Sequence, residues 1–339
     1  MIKKIAIIGA GISGLNLASN LSKIADVKIF EKARGVGGRM ATRYFNDGEN
    51  YYQFDHGAQF FKANSKIFRD FLKEFEDINV VSRWNANFVE IDGKEITKSR
   101  IWNDKNYHFI GTSKMNQLCK EIAAELSDKV EINLNCQISK IVVKDNKVSI
   151  FDGNQSFIND FDFVISAIPV QQFIDIADDK VNYKNDLKNI KMLPCYSLML
   201  SLAEYVKIDF DAALVKNSKI SWITKESSKI NRPDLAFTIL SSNLWAQENI
   251  DNNKEDVAEQ LVAEFSRIIN IKPEIKHQNL HLWRYANSKN NYSNNKFYID
   301  YQSNVASCGD WCIKGFVEAA FMSSFYLACD INSHLKNLE

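Results

Sequence analysis

The stretch that decides the fold is Ile5–Gly14, which reads IAIIGAGISG. A short apolar run, Ile5–Ile8, is followed at once by three glycines in the pattern Gly-x-Gly-x-x-Gly, at Gly9, Gly11 and Gly14. Residues at helical spacing follow the turn. This order of strand, glycine-rich turn and helix is typical of an α/β fold that binds a dinucleotide.

Each glycine has a physical role in such a turn. Gly9 permits the tight turn, Gly11 lets the backbone approach a pyrophosphate, and Gly14 allows close packing of helix on strand. The helix that begins near Ser13 offers unpaired N–H groups and the positive end of its dipole to the phosphates. The alternative is a glycine-rich turn of an unrelated α/β fold.

An acidic residue stands at the end of the second predicted strand. Glu31 follows the run Val27–Phe30, close to the offset of about twenty residues expected for the acid that binds a ribose hydroxyl. A carboxylate here favours an unphosphorylated ribose, and therefore FAD or NAD over NADP. These residues do not separate FAD from NAD.

Composition limits the class of protein. The chain has 339 residues, of which 45% are apolar, and its 42 basic residues balance 42 acidic ones. This length suits roughly two domains with a large buried core. The zero net charge removes the electrostatic argument for a nucleic-acid or membrane partner, and no stretch has the eighteen or so apolar residues of a spanning helix.

The cysteines and the first residues bear on location. Six cysteines form no C-x-x-C pair, so we expect reduced thiols and a cytoplasmic protein. The apolar start has a superficial likeness to a signal peptide, but its glycines interrupt the run and a buried first strand explains it equally well.

Two further segments resemble motifs of a known family. Lys32–Arg39, KARGVGGR, resembles the second glycine motif of amine-oxidase-type flavoproteins, which implies a loop along the FAD pyrophosphate with Arg39 as a fixed positive charge. Asp55–Phe61, DHGAQFF, resembles the stretch that passes the isoalloxazine ring. The residues expected at FAD from these segments are Lys32, Gly38, Arg39, Met40, His56, Gly57, Ala58 and Gln59.

The last part of the chain resembles the closing flavin motif of the same family. In Cys308–Cys312, CGDWC, the resemblance implies that Asp310 bonds a ribityl hydroxyl. It also implies that the next helix points its N-terminus at the flavin N1 and O2 edge, where the dipole stabilises the charge of reduced flavin. The residues expected at FAD here are Gly309, Asp310, Phe316, Val317 and Glu318, together with Ile138, near the adenine, and Ala167.

Four motifs in this order predict non-covalently bound FAD, whereas an NAD-dependent dehydrogenase would explain only the first. The predicted fold is α/β, with a Rossmann-like FAD-binding domain that takes residues 1–62, 112–172 and 297–339. A substrate domain, a mostly antiparallel β-sheet with helices, is expected to take residues 63–111 and 173–296.

Over essentially the whole chain, the closest resemblance is to the renalase family, particularly its bacterial members. The segments that carry it are Gly37–Met40, Gly57–Phe61, Leu282–Ala286 and Gly309–Cys312. The resemblance implies hydride transfer from a dihydro-NAD(P) isomer to flavin N5, and reoxidation by O2 to give H2O2. Lys314–Phe316 and Met322–Ser324 depart from the family pattern, so we expect a different pocket beside the flavin.

Four residues are candidates for contact with the substrate. His56 could bond the flavin or the substrate, or it could cap a turn. Gln59 could orient the substrate or complete its own loop. Trp283 and Tyr285 share one face of a predicted strand, so they could wall a flat pocket or pack in a core.

Other readings stay open at this stage. An amine or other carbon–nitrogen oxidase of the same superfamily is the second candidate, and a flavin-binding protein without turnover is a third, from another class. His277 and His281 lie about 13 Å apart on a predicted strand, so no metal site is expected. The sequence sets no oligomeric state.

Overall fold

A computed structural model describes residues 3–103, 107–288 and 295–337. The strands in chain order are β1 (Lys3–Ile8), β2 (Ala25–Phe30), β3 (Arg43–Asn46), β4 (Tyr51–Phe54), β5 (Phe61–Lys62), β6 (Val81–Arg83), β7 (Asn87–Asp92), β8 (Glu95–Ile101), β9 (His108–Gly111), β10 (Glu131–Asn133), β11 (Ile138–Lys144), β12 (Lys147–Asp152), β13 (Phe157–Phe161), β14 (Phe163–Ser166), β15 (Met192–Leu202), β16 (Ala212–Lys216), β17 (Ile220–Lys225), β18 (Ala236–Ser241), β19 (Ile275–Ser288), β20 (Tyr298–Asp300) and β21 (Val305–Ser307). The helices are α1 (Ile12–Leu21), α2 (Lys66–Asp77), α3 (Gln117–Glu125), α4 (Val170–Ile176), α5 (Lys184–Leu187), α6 (Asn243–Glu248), α7 (Lys254–Ile269) and α8 (Val317–Lys336), with 3₁₀ turns at Glu226–Ser228 and Asp310–Cys312.

The described residues divide into two compact units, each assembled from segments that are distant in sequence. Unit 1 takes those of Met1–Met40, Leu118–Met192 and Ser288–Glu339, and unit 2 takes Ala41–Gln117 and Leu193–Asn287. Residues 41–62, which we expected in the FAD-binding domain, fall in unit 2, because β5 pairs with β9 there. Residues 112–117 also fall in unit 2, whereas residues 173–192 fall in unit 1. The identification of the units as FAD-binding and substrate domains stays a prediction.

The main sheet of unit 1 is almost entirely parallel. Its strand order is β10-β2-β1-β14-β21-β20, and only β20 runs antiparallel to its neighbour. The central strands β1 and β14 are apolar runs buried on both faces, as is usual for a parallel sheet covered by helices. Helix α1 packs on α8, where Ser13 Oγ donates a hydrogen bond of 2.8 Å to the carbonyl of Ala320.

A small antiparallel sheet in the same unit has the order β11-β12-β13. Lys144 pairs with Lys147 across a tight turn, and the strands shift register near Ile138. This sheet follows β10 in the chain and leads into β14, so it lies within the sequence of unit 1 as an insertion between two parallel strands.

Unit 2 contains a large sheet of order β19-β15-β18-β17-β16-β7-β8. Within it, β15 and β18, β18 and β17, β17 and β16, and β7 and β8 pair antiparallel, whereas β16 and β7 pair parallel. Helix α7 covers it with an apolar stripe at helical spacing, which includes Val257, Leu261 and Phe265. The predicted fold class is therefore confirmed: a Rossmann-like α/β fold combined with a mostly antiparallel sheet.

Two smaller elements complete unit 2. The hairpin β3–β4 pairs Arg43 with Phe54 and Phe45 with Tyr52. A small sheet has the order β5-β9-β6, and α2 lies between β5 and β6 in the chain. The N-terminus of α2 is capped by Ser65. Capping by a serine hydroxyl satisfies one of the free N–H groups of the first turn.

Across the described ranges, no helix combines the length and the hydropathy that crossing a bilayer requires. All six cysteines are free thiols, and four of them are buried.

Candidate functional site

The first glycine turn has the geometry that its pattern predicts. Gly9 has φ of +102°, a conformation that residues with a side chain rarely adopt. A Cβ atom on Gly14 would lie 1.9 Å from the carbonyl oxygen of Gly9, so only glycine fits where α1 meets the turn. A Cβ atom on Gly11 would meet no described atom within 4 Å, so the space in front of this residue is open.

The N-terminus of α1 faces that open space without a cap. Gly11 is the N-cap residue, and no described side chain bonds to the first N–H groups of the helix. Unpaired N–H groups and the helix dipole together favour an anionic group at this position. The hydroxyl of Ser13 is bonded to the carbonyl of Ala320, so the predicted contact of Ser13 with the cofactor rests on its N–H group and stays a prediction.

Glu31 connects the first glycine turn to the segment after β2. Its two carboxylate oxygens accept hydrogen bonds of 2.8 Å from the backbone N–H groups of Ala10 and Ala33. The side chain is buried, and the neighbouring Lys32 is exposed. The predicted bond from Glu31 to a ribose stays a prediction, and the structure adds a role in holding the turn.

The second glycine loop packs directly on the first. The N–H group of Gly37 donates to the carbonyl of Ala10 at 2.9 Å. A Cβ atom on Gly38 would lie 3.5 Å from the Cα atom of Gly11, and both Gly37 and Gly38 have positive φ. Met40 is buried at the end of this loop. Two motifs that are separate in sequence thus form one surface in unit 1.

The closing motif joins the same unit through an ion pair. Both guanidinium nitrogens of Arg39 donate to the carboxylate of Asp310, one of them at 2.9 Å. Gly309 has φ of +159°, and a Cβ atom there would lie 2.6 Å from Nε1 of Trp311. Trp311 in turn donates from Nε1 to the carbonyl of Ile168. Arg39 and Asp310, predicted at the pyrophosphate and the ribityl chain, therefore contact each other.

The remaining residues predicted at FAD have varied settings. Ala167 donates its N–H to the carbonyl of Ile8 and lies against Gly9. Ile138 is buried at the start of β11, just after a segment whose N–H groups bond to the carbonyls of Glu31 and Ala33. Phe316 is 66% exposed at the start of α8. Val317 and Glu318 form the first turn of that helix.

These features fit a bound dinucleotide. The open space in front of Gly11 and the uncapped start of α1 suit a pyrophosphate, because backbone amides can approach it without steric hindrance. FAD, when bound, supplies the two-electron redox chemistry. Unit 1 supplies the amides, the Arg39 charge and the hydrogen-bonding groups that would hold it.

In unit 2, His56 lies in a group of rings. Its imidazole stacks on the indole of Trp283 with centroids 5.2 Å apart and meets the ring of His281 at 5.1 Å, edge to face. Trp283 Nε1 also donates a hydrogen bond of 2.7 Å to the carbonyl of His56. The predicted candidates His56 and Trp283 are thus in direct contact.

Both histidines of this group are held neutral. Burial, with the nearby charges of His281 and Arg43, lowers the pKa of His56 to about 3. Burial and the charge of Arg43 also lower the pKa of His281 to about 4. A neutral imidazole can accept a proton or a hydrogen bond on one nitrogen. Nδ1 of His56 is buried and has no partner among the described residues.

Gln59 turns back on its own loop. Its Nε2 donates to the carbonyl of Asp55 and, at 3.1 Å, to that of Gly57. Its Oε1 is buried and has no partner within the described part of the chain. The amide nitrogen of Gln59 therefore completes the loop. The role of Gln59 in orienting a substrate stays a prediction, and Oε1 is the atom that could fill it.

Strand β19 carries Trp283 and Tyr285 on one face. Both are half-buried, whereas Arg284 between them is exposed. His277, on the same strand, stacks on Phe45 with centroids 3.5 Å apart, whereas His281 contacts the rings of His56 and Trp283. The described residues contain no group of metal-ligating side chains.

A buried network of charges stands directly before His56, and sequence reasoning missed it. Asp55 Oδ2 lies 2.9 Å from both Lys229 Nζ and Arg232 Nη2. Glu226 Oε2 lies 3.1 Å from the same lysine, and its Oε1 accepts from the N–H of Asp55 at 3.0 Å. Thr42 donates to Asp55 at 2.6 Å. All four charged side chains are fully buried.

The network holds the start of the His56 loop in place, and the charges of its four side chains add up to zero. Burial alone would raise the pKa of Asp55, but the charges of Lys229 and Arg232 and the bond from Thr42 hold that pKa below its ordinary value. Two carboxylates and two cations compensate each other, which is the condition for burying charge at all. The signal for this network in the sequence is Asp55 at the start of the predicted flavin segment, because an aspartate buried there needs a cationic partner.

The fold and these features define the class of protein: an α/β protein with a Rossmann-like, dinucleotide-binding domain. Residues 7–75 match the NAD(P)-binding Rossmann-like domain. Residues 93–332, well over half of the chain, match the flavin containing amine oxidoreductases, and the chain belongs to that family. This match makes it an FAD-dependent oxidoreductase.

Individual relatives agree in fold. An L-amino acid oxidase from Cerastes cerastes is 36% identical over 87 residues, which are 25% of this chain and only 16% of that protein. A protein assigned as a protoporphyrinogen oxidase, from Exiguobacterium sp. 255-15, has a TM-score of 0.80 at 11% identity, with 98% of this chain and 99% of that chain covered. Putrescine oxidase has a TM-score of 0.73 at 12% identity, with 98% and 99% covered. At such identities the two structures show the fold alone.

Proposed function

We propose that this oxidoreductase acts on dihydronicotinamide dinucleotides reduced at a ring position other than the usual one, as the renalase resemblance implies. The observation that carries the proposal is the electrostatic character of the His56 group. The group consists of the neutral imidazoles of His56 and His281 and the indole of Trp283, and the nearby Arg43 is cationic. The adjacent carboxylate of Asp55 is already paired with two cations.

This setting suits a neutral ring with an anionic arm better than a protonated amine. An ammonium group would lie close to the charge of Arg43 without a free carboxylate from the His56 loop to balance it. A flat, uncharged dihydronicotinamide can lie against the indole of Trp283, as aromatic rings commonly stack. The unpartnered Oε1 of Gln59 offers an acceptor for a carboxamide N–H group.

The overall reaction balances with the named reactants. The donor loses a hydride and becomes the aromatic nicotinamide cation, while O2 takes up that hydride and one proton and becomes H2O2. In this proposal His56, neutral at pH 7, accepts a hydrogen bond at Nδ1 and holds the donor ring in place. Trp283 and Tyr285 form the wall behind the ring, and neither needs to ionise.

Anaerobic mixing of the holoenzyme with 6-dihydro-NAD, ordinary NADH and a panel of amines tests the proposal. We expect loss of the flavin absorbance within seconds with 6-dihydro-NAD, and a much slower change with ordinary NADH. After air is admitted, the flavin spectrum should return and H2O2 should form in equal amount to the donor consumed. An unchanged spectrum with every dihydro-NAD isomer would sink the proposal.

An amine or other carbon–nitrogen oxidase is the second candidate. It is favoured by the family match itself and by the similarity to putrescine oxidase, one structure of which has putrescine bound. If amines reduce the flavin and dinucleotide isomers do not, this candidate replaces the first. If FAD copurifies and no donor reduces it, the chain is a flavin-binding protein without turnover.

A further inference from the structure

One face of β19 carries a row of ring and amide side chains. Successive residues of a strand point to opposite faces, so His277, Asn279, His281 and Trp283 share one face. On the other face, Leu280 and Leu282 pack against the apolar core of unit 2. The row therefore runs along the strand on the side away from that core, and it ends at the His56 group.

A cleft of about 140 Å³ adjoins the far end of this row. Its lining includes Arg43, Tyr44 and Phe45 of strand β3, Met199, His277 and Asn279. Phe45 and His277 stack with their ring planes 3° apart, and this pair forms an apolar wall. Burial lowers the pKa of His277, so this ring adds no charge at neutral pH.

Arg43 is the cation of the cleft. Its Nη1 donates a hydrogen bond of 2.8 Å to Oδ1 of Asn279, which fixes the plane of the guanidinium. No acidic residue is among the side chains that line the cleft in the described part of unit 2. A fixed guanidinium beside aromatic walls is suited to a phosphate or carboxylate attached to a flat ring.

We propose that this cleft binds the phosphate-bearing arm of a dinucleotide donor whose reactive ring lies at Trp283. The proposal rests on the proposed function, since it assigns a second part of the same substrate. Four residues of strand separate Asn279 from Trp283, a span of about 13 Å. A ribose with its pyrophosphate can bridge a distance of this order, so one extended ligand can contact Arg43 and Trp283 together.

A cleft of this kind would let the enzyme bind a dinucleotide more tightly than the isolated ring. The ring alone would contact only the His56 end of the row. The phosphates add the charge-assisted hydrogen bonds of Arg43, which are among the stronger polar contacts in water. The arm thus contributes binding without taking part in the redox step.

Titration of ADP into the holoenzyme tests the cleft directly, because FAD already fills its own site. We expect ADP to bind and adenosine to bind more weakly, and Arg43→Gln to raise the dissociation constant of ADP about tenfold or more. Arg267→Gln is the matched control, since Arg267 is also a partly exposed arginine of unit 2 but bonds to Glu264. This control should bind ADP as the unaltered enzyme does. Absence of ADP binding, or equal ADP binding by Arg43→Gln, would overturn the proposal.

A second measurement separates this proposal from the proposed function. The KM for 6-dihydro-NAD is compared with that for a dihydronicotinamide lacking the phosphates, in the unaltered enzyme and in Arg43→Gln. We expect the substitution to raise the KM of the dinucleotide. The KM of the truncated donor should change less than about twofold, because that donor has no phosphate for Arg43 to contact. If no dihydronicotinamide reduces the flavin but ADP still binds through Arg43, the cleft stands and the proposed function fails. If both donors react with equal KM values in both proteins, the cleft fails and the proposed function stands.

Discussion

The two units hold charge in opposite ways. In unit 1, Arg39 pairs with Asp310 while 30% of the arginine side chain is exposed. In unit 2, no side-chain surface is exposed on the four charged residues Asp55, Glu226, Lys229 and Arg232. A pair with exposed surface can change its partner when a ligand arrives, whereas a fully buried network can only hold its backbone in place. The Arg39–Asp310 pair of unit 1 is therefore the one predicted to take part in binding, whereas the buried network of unit 2 holds the start of the His56 loop in position.

The largest effect should come from breaking the buried network. Lys229→Met leaves two buried carboxylates with one cation, and such an uncompensated charge costs about 3–5 kcal/mol of unfolding free energy. Denaturant unfolding of the holoenzyme measures it. The matched control is Lys73→Met, which removes one side of the exposed pair with Asp77 and should change stability by less than about 1 kcal/mol. Equal losses in the two variants would show that burial of the network has no energetic consequence.

The glycine turn of unit 1 offers the next test, because two of its glycines serve different purposes. Gly14→Ala forces a Cβ atom against the carbonyl of Gly9 and should destabilise the protein by about 1–3 kcal/mol. Gly11→Ala adds a methyl group to open space at φ of −76°, so it should unfold like the unaltered chain. Its FAD should nevertheless dissociate about tenfold more readily, because the methyl group lies where a phosphate approaches the backbone.

Thermal unfolding and the FAD content after dilution measure the two glycine effects separately. If Gly11→Ala kept its FAD as firmly as the unaltered protein, the open space would not be the phosphate site. If Gly14→Ala were fully stable, the close approach of α1 to the turn would have relaxed without cost.

Substitution of Arg39 tests whether its pair with the buried Asp310 serves binding. Arg39→Gln removes the positive charge predicted to lie at the FAD pyrophosphate and the hydrogen bonds to Asp310, so we expect clearly weaker FAD binding. Arg39→Lys keeps the charge but loses the planar guanidinium. Its FAD affinity should therefore lie between that of the unaltered protein and that of Arg39→Gln. Fluorescence of released flavin follows the dissociation. An unchanged FAD affinity in Arg39→Gln, accompanied by lower stability, would mean that this pair is structural like the network of unit 2.

The last expected effect concerns pH. Folded His56 has a pKa of about 3, below its ordinary 6.5, so between these values the unfolded chain binds a proton that the folded chain does not. Stability should therefore fall as the pH drops below 6.5, by up to ~1.4 kcal/mol per pH unit from this group. His56→Asn should show a shallower slope in unfolding experiments between about pH 5 and 6.5, above the range where most carboxylates titrate. The same slope in both proteins would place the proton uptake elsewhere.

The glycine turn could be predicted because its information is local. The pattern at Gly9, Gly11 and Gly14 specifies a positive φ, an open approach and a close packing contact within six residues, and the structure has all three. The contact between Arg39 and Asp310 was harder to foresee. Each residue was predicted at FAD by resemblance, but no local pattern shows that residues 271 positions apart would pair with each other.

The side chains of unit 2 could not be predicted for the same reason. Glu226–Arg232 reads ESSKINR and resembles a solvated loop, and only contact with Asp55, 174 positions before Lys229, makes its charges buried. His281 was weighed in the sequence only against His277, whereas its ring lies against that of His56. Long-range pairing, and not residue type, decides which of these polar groups lose water.

The strand order of unit 1 has a consequence for the time course of synthesis. Strand β14 completes its parallel ladder only with β21, and α1 rests on α8 through a hydrogen bond that joins residues 307 positions apart. At 5–20 residues per second, a ribosome needs about 15–60 s to make the intervening chain. During that interval α1 exists without α8, and all of unit 2 is made before that helix arrives. The surface of α1 that α8 covers therefore stays open until the final helix emerges, a delay that a contiguous arrangement of the same elements would avoid.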